Sequence, residues 1–191
     1  MTISLADIQR RVGVPADGKW GPQTASAVAK ALGMEAAPAD GIPDDYWPML
    51  AEIESRNRPY VKAPTSTASG LYQFIRATWI GEGGKWGSDM SQAFGGLKPS
   101  PEEQLGRAKT FTAKNAAFLR TKGIPINKAS LYAAHFFGPA TAAKVIDADV
   151  HDRADLIAGP AATAANPTIL KGKTVGQFLS WLHGKTGEWA R

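Results

Sequence analysis

Apolar residues recur every three to four positions at the N-terminus, which is the spacing of one face of a helix. A first helix is predicted over about residues 4–12, with Leu5, Ile8 and Val12 on its apolar face. After a turn at residues 15–18, a second helix follows, with the apolar face Ala25, Val28 and Leu32. Residues 1–33 are therefore predicted to form a helical unit, which is smaller than most chains that fold alone and should lean on the rest of the protein.

A segment rich in Ala, Pro and Gly, residues 34–44, is predicted to link this unit to a larger domain over residues 45–191. The larger domain should begin with a helix that has Asp44 or Asp45 as its N-cap. Its predicted apolar stripe is Trp47, Leu50 and Ile53. Glu54 is expected at the edge of that stripe.

The middle of the chain, residues 56–99, contains many Gly, Ser, Thr and Pro residues and is predicted to be rich in loops, with one short helix over residues 71–79. Ser100, Pro101 and Glu103 form a capping-box pattern that opens a long helix. The apolar stripe predicted for this helix is Leu105, Ala108, Phe111 and Phe118.

Further helices are predicted over residues 128–137, ending at Gly138, and over residues 142–146. Thr174 and Gln177 form a second capping-box pattern before a final helix. The face predicted for this helix is Val175, Phe178, Leu179 and Leu182. Because no alternating β-pattern occurs, the fold class is predicted to be mainly α.

Composition and charge narrow the classes of function. The net charge of +5 and the pI near 9.5 favour polyanionic partners, but the basic residues are scattered and form no nucleic-acid-binding motif. No apolar run is long enough to span a membrane, and the N-terminus lacks the apolar stretch of a signal peptide. With no cysteine and three scattered histidines, no metal site is expected. No cofactor is expected either, and the chain is expected to be a monomer.

The segment Asp17-Gly18-Lys19-Trp20-Gly21-Pro22-Gln23-Thr24, followed by Ala27-Val28, resembles the signature of the helical peptidoglycan-binding domain. This resemblance covers residues 4–33 and implies that Asp17 and Trp20 contact the cell wall. The alternative is a helical hairpin in which Trp20 is a core anchor.

Three later motifs, in order, resemble those of lytic transglycosylases and goose-type lysozymes, over most of residues 45–150. They are Glu54-Ser55 at a helix end, the segment from Thr67 to Phe74 (TASGLYQF), and the segment from Ala133 to Pro139 (AAHFFGP). The resemblance implies a lysozyme-like fold and Glu54 as the catalytic acid. It also implies a substrate site that includes Ser55, Ser69, Gly70, Tyr72, Gln73, His135 and Phe136.

This chain departs from the family pattern at several positions. Thr67 replaces a glycine, Tyr72 replaces a methionine, and His135 and Phe136 replace a Tyr-Asn pair. These variants are similar to those of phage-encoded members. We therefore expect a phage enzyme, either an endolysin that a holin releases from the host cytoplasm to the wall or a virion component.

The chemistry of glycoside cleavage explains how one carboxylic acid can suffice. The acid must be protonated to donate to the leaving oxygen, and partial burial beside Leu50 and Ile53 favours that form of Glu54. In transglycosylation the same group then removes a proton from the 6-hydroxyl of the sugar. Ser55 is expected either to orient Glu54 or to end the helix, and His135 either to line the cleft or to lie in the core.

A hydrolytic muramidase would use a second carboxylate, for which Glu82 and Asp89 are the candidates, although solvated loop charges are the simpler interpretation of both. Trp79 and Trp86 are expected to pack in the core.

A rival from another class is a wall-binding or virion structural protein without activity. The leading expectation is a glycanase that cuts peptidoglycan strands between MurNAc and GlcNAc.

Overall fold

A computed structural model describes residues 3–33 and 41–191 of the chain. About 57% of the protein is helical, so the predicted mainly α class is confirmed. Within the described residues there is no β-strand, only isolated bridges such as that between Ser69 and Phe74. Most of the predicted linker lies outside the described residues.

The helices of the described residues, in chain order, are α1 (Leu5–Arg11), α2 (Pro22–Ala31), α3 (Tyr46–Ser55), α4 (Arg76–Gly81), α5 (Pro101–Thr121), α6 (Lys128–Phe137), α7 (Pro139–Asp147), α8 (Ala154–Ala158), α9 (Pro160–Ala165), α10 (Pro167–Leu170) and α11 (Val175–Thr186). A 3₁₀ helix over Ala93–Gly96 lies in the loop region before α5. None of these helices is both long and apolar enough to cross a membrane. The chain divides into two compact units, Met1–Pro43 and Asp44–Arg191.

A buried glutamine organises the N-terminal unit. Gln9 of α1 is 1% exposed, and its Nε2 lies within 2.8–3.0 Å of the Asp17 carboxylate, the Lys19 carbonyl and the Thr24 hydroxyl. Its Oε1 accepts a hydrogen bond from the Gly18 amide at 2.8 Å. Because a buried amide must satisfy its donors and acceptors, Gln9 fixes the turn between the two helices.

The core of the larger unit is centred on α6, which packs against α5, α7 and α11. Ala129, Leu131, Ala133 and Ala134 of α6 are fully buried. Small side chains on this helix allow its neighbours to approach closely. The three helix starts predicted at Ser100, Lys128 and Thr174 are confirmed, with side-chain caps from Ser100, Asn127 and Thr174.

The predicted apolar stripe of α3 was wrong in its orientation. The buried residues are Tyr46, Leu50, Ala51 and Ser55, whereas Trp47 and Ile53 are only partly buried. At 100° per residue, Glu54 falls between Leu50 and Ala51 around the helix. Glu54 therefore lies in the middle of the inward face and not at its edge, as the apolar pattern had suggested.

The predicted stripe of α5 was also displaced. Leu105, Phe111 and Phe118 are partly exposed. The residues of α5 that are buried include three polar ones, Gln104, Thr112 and Asn115, together with Ala108, Ala116 and Leu119. The apolar pattern missed this face because half of it is polar.

The short helix predicted over residues 71–79 begins later, at Arg76, and ends at Gly81. The segment before it forms a tight turn, in which Ser69 and Phe74 exchange backbone hydrogen bonds of 3.0 and 3.1 Å. By contrast, the face predicted for α11 is confirmed, since Val175, Phe178, Leu179 and Leu182 are all buried.

Candidate active site

Glu54 occupies the last turn of α3, and its side chain is 18% exposed. The helix ends just beyond it, where Arg56 and Asn57 both adopt left-handed backbone conformations. A charged side chain directed inward from a helix is costly unless a neighbouring group or a function compensates for it. The surroundings of Glu54 therefore decide how this residue is to be interpreted.

Ser55 serves the end of the helix. Its hydroxyl donates to the Ala51 carbonyl at 2.9 Å and accepts from the Arg58 amide at 3.2 Å. The side chain is buried, so these two bonds satisfy it. Of the two roles considered for Ser55, the helix-ending one matches its partners.

Two residues of α6, one turn apart, face the Glu54 carboxylate. The Nε2 atom of His135 lies 4.0 Å from Oε1 of Glu54, and the Tyr132 hydroxyl lies near the same carboxylate. The rings of Tyr132 and His135 are stacked, with centroids 6.4 Å apart. Residues three apart share a helix face, which is why both reach the same group.

The environment shifts the proton equilibria of both neighbours. Burial, followed by the charge of Glu54, raises the pKa of Tyr132 far above its usual range, so its hydroxyl stays protonated and can donate to the carboxylate. Burial also lowers the pKa of His135, although the charge of Glu54 and the contact of the imidazole with the Tyr72 carbonyl work in the opposite direction. His135 is therefore neutral near neutral pH.

The turn from Gly70 to Gln73 places the amide of Gln73 beside these groups. Gly70 has φ +80°, and a Cβ there would overlap the side chains of Gln104 and Phe94, so glycine is required. Gln73 itself has φ +46°, a conformation that non-glycine residues adopt at some energetic cost. Its Nε2 donates to the Gly70 carbonyl at 2.9 Å, which closes the turn.

Three residues that were expected to contact substrate are buried around this turn instead. Ser69 and Tyr72 are 0% and 4% exposed, and Gly70 is buried as well. The Ser69 hydroxyl donates to the Thr67 carbonyl at 3.0 Å and accepts from the Phe94 amide at 3.2 Å. Their roles in this structure are to build the turn, and Gln73 is the part of the motif that reaches the cleft.

Gln104 of α5 clamps this turn to two other loops. Its Oε1 accepts from the Leu71 amide at 2.8 Å. Its Nε2 donates to the carbonyls of Pro59 at 3.1 Å and Pro99 at 3.0 Å. One buried polar side chain thus joins three loop segments, and the sequence analysis had not singled it out.

Two adjoining pockets form a groove beside Glu54. The first, here called the Glu54 pocket, has a volume of about 450 Å³ and is lined by Ile53, Glu54, Ala68, Gln73, Ile75, Tyr132, His135, Phe136, Asn166, Ile169, Trp181 and Lys185. The second, the Phe111 pocket, has about 380 Å³ and is lined by Gln73, Phe74, Ile75, Thr78, Phe111, His135, Phe136, Phe137, Gly138 and Pro139. The pockets share Gln73, Ile75, His135 and Phe136, so a chain-like ligand could pass from one to the other.

The groove is rich in aromatic side chains and has very few charges. Among the described residues that line either pocket, Glu54 is the only carboxylate, and Lys185 is the only lysine or arginine. A lone carboxylate among aromatic rings is an arrangement suited to proton transfer. Of the residues that the sequence predicted for the site, Glu54, Gln73, His135 and Phe136 line the groove.

Glu82 and Asp89, the candidates for a second carboxylate, have other partners. Glu82 pairs with Lys114 at 2.9 Å and accepts from the Thr110 hydroxyl at 3.0 Å. Asp89 is exposed and caps its own loop, and hydrogen bonds from Ser91 and Gln92 lower its pKa. Neither lines the Glu54 pocket or the Phe111 pocket.

The predicted wall-binding residues of the N-terminal unit differ in their surroundings. Trp20 is 61% exposed and therefore is not the core anchor considered as an alternative. The Asp17 carboxylate is held by the Gln9 side chain and the Lys19 amide. Asp17 thus shapes the turn, and Trp20 provides an exposed aromatic surface.

Trp79 and Trp86 belong to the interior of the larger unit. Trp79 is fully buried and donates to the Lys85 carbonyl at 2.8 Å, and both rings pack on Phe94. No group of three or more potential metal ligands occurs within residues 3–33 and 41–191. When the chain is compared with models of known protein families, none matches it.

Proposed function

We propose that this protein is a peptidoglycan glycanase that cleaves the β-1,4 bond between MurNAc and GlcNAc by lytic transglycosylation, with Glu54 as the acid and base. One observation carries the proposal: within residues 3–33 and 41–191, Glu54 is the only carboxylate lining an aromatic groove, and it projects from the inward face of α3. The order and spacing of the Glu54-Ser55, GLYQF and AHFFGP segments, which resemble those of lytic transglycosylases, support it further.

In the first step, the protonated Glu54 donates its proton to the glycosidic oxygen. The bond between that oxygen and C1 of MurNAc breaks, and GlcNAc leaves as the alcohol. The sugar that remains has oxocarbenium character at C1, which the ionised carboxylate stabilises. The nearby Tyr132 hydroxyl, which stays protonated, can donate to the ionised carboxylate during this step.

In the second step, the Glu54 carboxylate removes the proton of the C6 hydroxyl of the same MurNAc. The C6 oxygen attacks C1 and closes a 1,6-anhydro ring, so Glu54 returns to its protonated form and no water is consumed. His135 is neutral and lies 4.0 Å from the carboxylate, so it does not introduce a competing positive charge. A single titrating carboxylate is sufficient for this cycle.

The alternative is hydrolysis, in which water attacks C1 and a second carboxylate assists. The pairing of Glu82 with Lys114 and the local capping by Asp89 give both candidates structural roles. These partners favour transglycosylation over hydrolysis as the proposal. The nature of the product separates the two reactions.

The decisive experiment is mass spectrometry of the muropeptides released from purified peptidoglycan by the wild type, Glu54→Gln and Glu52→Gln. Products lighter by one water, with anhydro-MurNAc ends, are expected from the wild type and from Glu52→Gln, and none from Glu54→Gln. Glu52 is a matched control because it is exposed on another face of the same helix. Reducing ends would establish a hydrolase instead.

A wall-binding protein without activity is the proposal's rival from another class. Equal clearing of cell walls by the wild type and Glu54→Gln would refute the role of Glu54.

We also propose, from the resemblance of the GLYQF and AHFFGP segments to phage-encoded members, that the enzyme is an endolysin. Lysis of cells that express it only when a holin is co-expressed would support that assignment, and lysis that is indifferent to the holin would oppose it.

A further inference from the structure

Helix α11 contributes two residues to the Glu54 pocket, Trp181 and Lys185. They are four positions apart and therefore lie on the same face of the helix. Neither belongs to the motifs that suggested the function. Their shared position beside the acid indicates a role in binding the same ligand.

Trp181 is the outer member of an aromatic cluster. Its ring stacks on Tyr132 with centroids 5.9 Å apart and on Phe178 at 5.6 Å, and it packs against Phe136 at 5.4 Å. These contacts fix the orientation of the indole, while part of its surface stays accessible in the pocket. A fixed, accessible aromatic ring is a suitable surface for the apolar face of a pyranose.

Lys185 is exposed in the last turn of α11, and within the described residues its ammonium has no hydrogen bond or ion pair. Two lysines of this unit, Lys114 and Lys128, are paired with Glu82 and Asp45, so Lys185 differs from them in being available to a ligand. Among the described residues that line its pocket, the only carboxylate is Glu54. An unpaired cation beside a catalytic acid offsets the repulsion that the acid would exert on an anionic ligand.

We infer that Trp181 and Lys185 form a subsite for the muramoyl residue, in which the indole packs on the sugar and the ammonium pairs with a carboxylate carried on the lactyl ether at C3. This inference rests on the proposed function. MurNAc differs from GlcNAc only by that lactyl group, so a cation at this place distinguishes peptidoglycan from chitin. The carboxylate is the lactate itself in strands without peptides and belongs to the stem peptide in intact strands.

The test measures binding in a Glu54→Gln background, so that no ligand is cleaved. The dissociation constant is determined by calorimetry for three soluble glycans: uncrosslinked peptidoglycan strands, the same strands stripped of peptides, and chitin oligosaccharides. Lys185→Gln is compared with Lys98→Gln, which removes the same charge at an exposed position outside the Glu54 pocket. Thermal unfolding of each variant reports whether the fold is intact.

Lys185→Gln is expected to raise the dissociation constant about threefold to fivefold for carboxylate-bearing strands at low salt, the range of a solvent-exposed ion pair. This loss of affinity should vanish at high salt and should be absent for chitin oligosaccharides. Lys185→Arg, which keeps the positive charge, should bind the strands as tightly as the unsubstituted Lys185 protein. An effect on peptide-stripped strands alone assigns the lactate carboxylate, and an effect on peptide-bearing strands alone assigns a stem-peptide carboxylate. An effect on both kinds of strand shows that Lys185 pairs with whichever carboxylate the lactyl group carries.

Trp181→Phe, which keeps an aromatic ring, is expected to weaken binding of all three glycans because the stacking area shrinks. Identical affinities for Lys185→Gln and Lys98→Gln with every glycan would overturn the inference. Because binding is measured without cleavage, that result is independent of the muropeptide analysis. The proposed function fails if the wild type releases no muropeptides, if the products carry reducing ends, or if Glu54→Gln releases them equally.

Discussion

Replacement of Gln104 by leucine tests whether one buried side chain holds the loops that build the groove. The substitution keeps the approximate volume but removes one acceptor and two donor contacts, to Leu71, Pro59 and Pro99. All three backbone groups would then lose their partner in a largely buried place. The site itself is affected because the Leu71 amide belongs to the turn that carries Gln73.

The expected cost follows from these three bonds. Each contributes about 1 kcal/mol net, and stranded partners add to the loss, so the free energy of unfolding should fall by about 2–4 kcal/mol. For a domain of this size, about 2–4 °C of melting temperature corresponds to each kcal/mol. Gln104→Leu should therefore melt about 5–15 °C below the wild type.

The assay is thermal unfolding followed by circular dichroism, together with wall clearing measured well below both melting temperatures. Clearing should fall at least about tenfold, because a shifted Gly70–Gln73 turn misplaces Gln73. Gln92→Leu is the control, since Gln92 is exposed and bonds only Asp89. The interpretation of Gln104 as a clamp is refuted if both variants melt at the same temperature.

Three further predictions concern other parts of the protein. Tyr132→Phe removes the hydroxyl that contacts Glu54, so turnover of peptidoglycan should fall about tenfold with little change in melting temperature; unchanged turnover would remove Tyr132 from the site. Because burial lowers the pKa of His135 in the folded state, the unfolded state binds the proton first as the pH falls. The stability contributed by neutral His135 is thus complete above about pH 6.5 and is lost below it. His135→Gln should show a smaller loss of melting temperature than the wild type between about pH 6.5 and pH 5, and equal losses would contradict this assignment. Trp20→Ala should reduce sedimentation with purified cell walls while the melting temperature stays the same, since Trp20 is 61% exposed; unaltered sedimentation would exclude it from wall binding.

His135 and Tyr132 illustrate how the site differs from the pattern that the sequence suggested. The resemblance places a tyrosine at position 135, where this chain has histidine. In the structure, Tyr132, one turn earlier on α6, brings a phenol to the Glu54 carboxylate. The turnover of Tyr132→Phe tests whether this phenol acts on Glu54.

Local signals in the sequence determined where three of the helices begin. Ser100, Asn127 and Thr174 cap their helices because a side-chain oxygen satisfies amides that the first turn leaves free. The face of α11 was also predictable, since all of its buried residues except Thr186 are apolar. In these cases the stabilising contacts join residues that are close in the sequence, so the sequence alone is enough to predict them.

Only the tertiary structure decided which way α3 and α5 face. Leu50 belongs both to the predicted stripe with Trp47 and Ile53 and to the stripe with Tyr46 and Ala51 that is buried. The apolar pattern does not choose between these stripes, so only the packing showed that Glu54 faces inward. The inner face of α5 is half polar, because Gln104 bonds loops far away in the chain. Apolar periodicity does not register a buried polar residue whose partners are distant.

The sequence predicted only those residues of the groove that belong to its motifs. Glu54, Gln73, His135 and Phe136 stand in segments with a recognisable pattern, and all four line it. Trp181 and Lys185 lie far along the chain on a helix that carries no motif, and they reach the same pocket because α11 packs against α6. Residue types and local spacing thus singled out Glu54 as a candidate, whereas long-range packing determined which groups surround it.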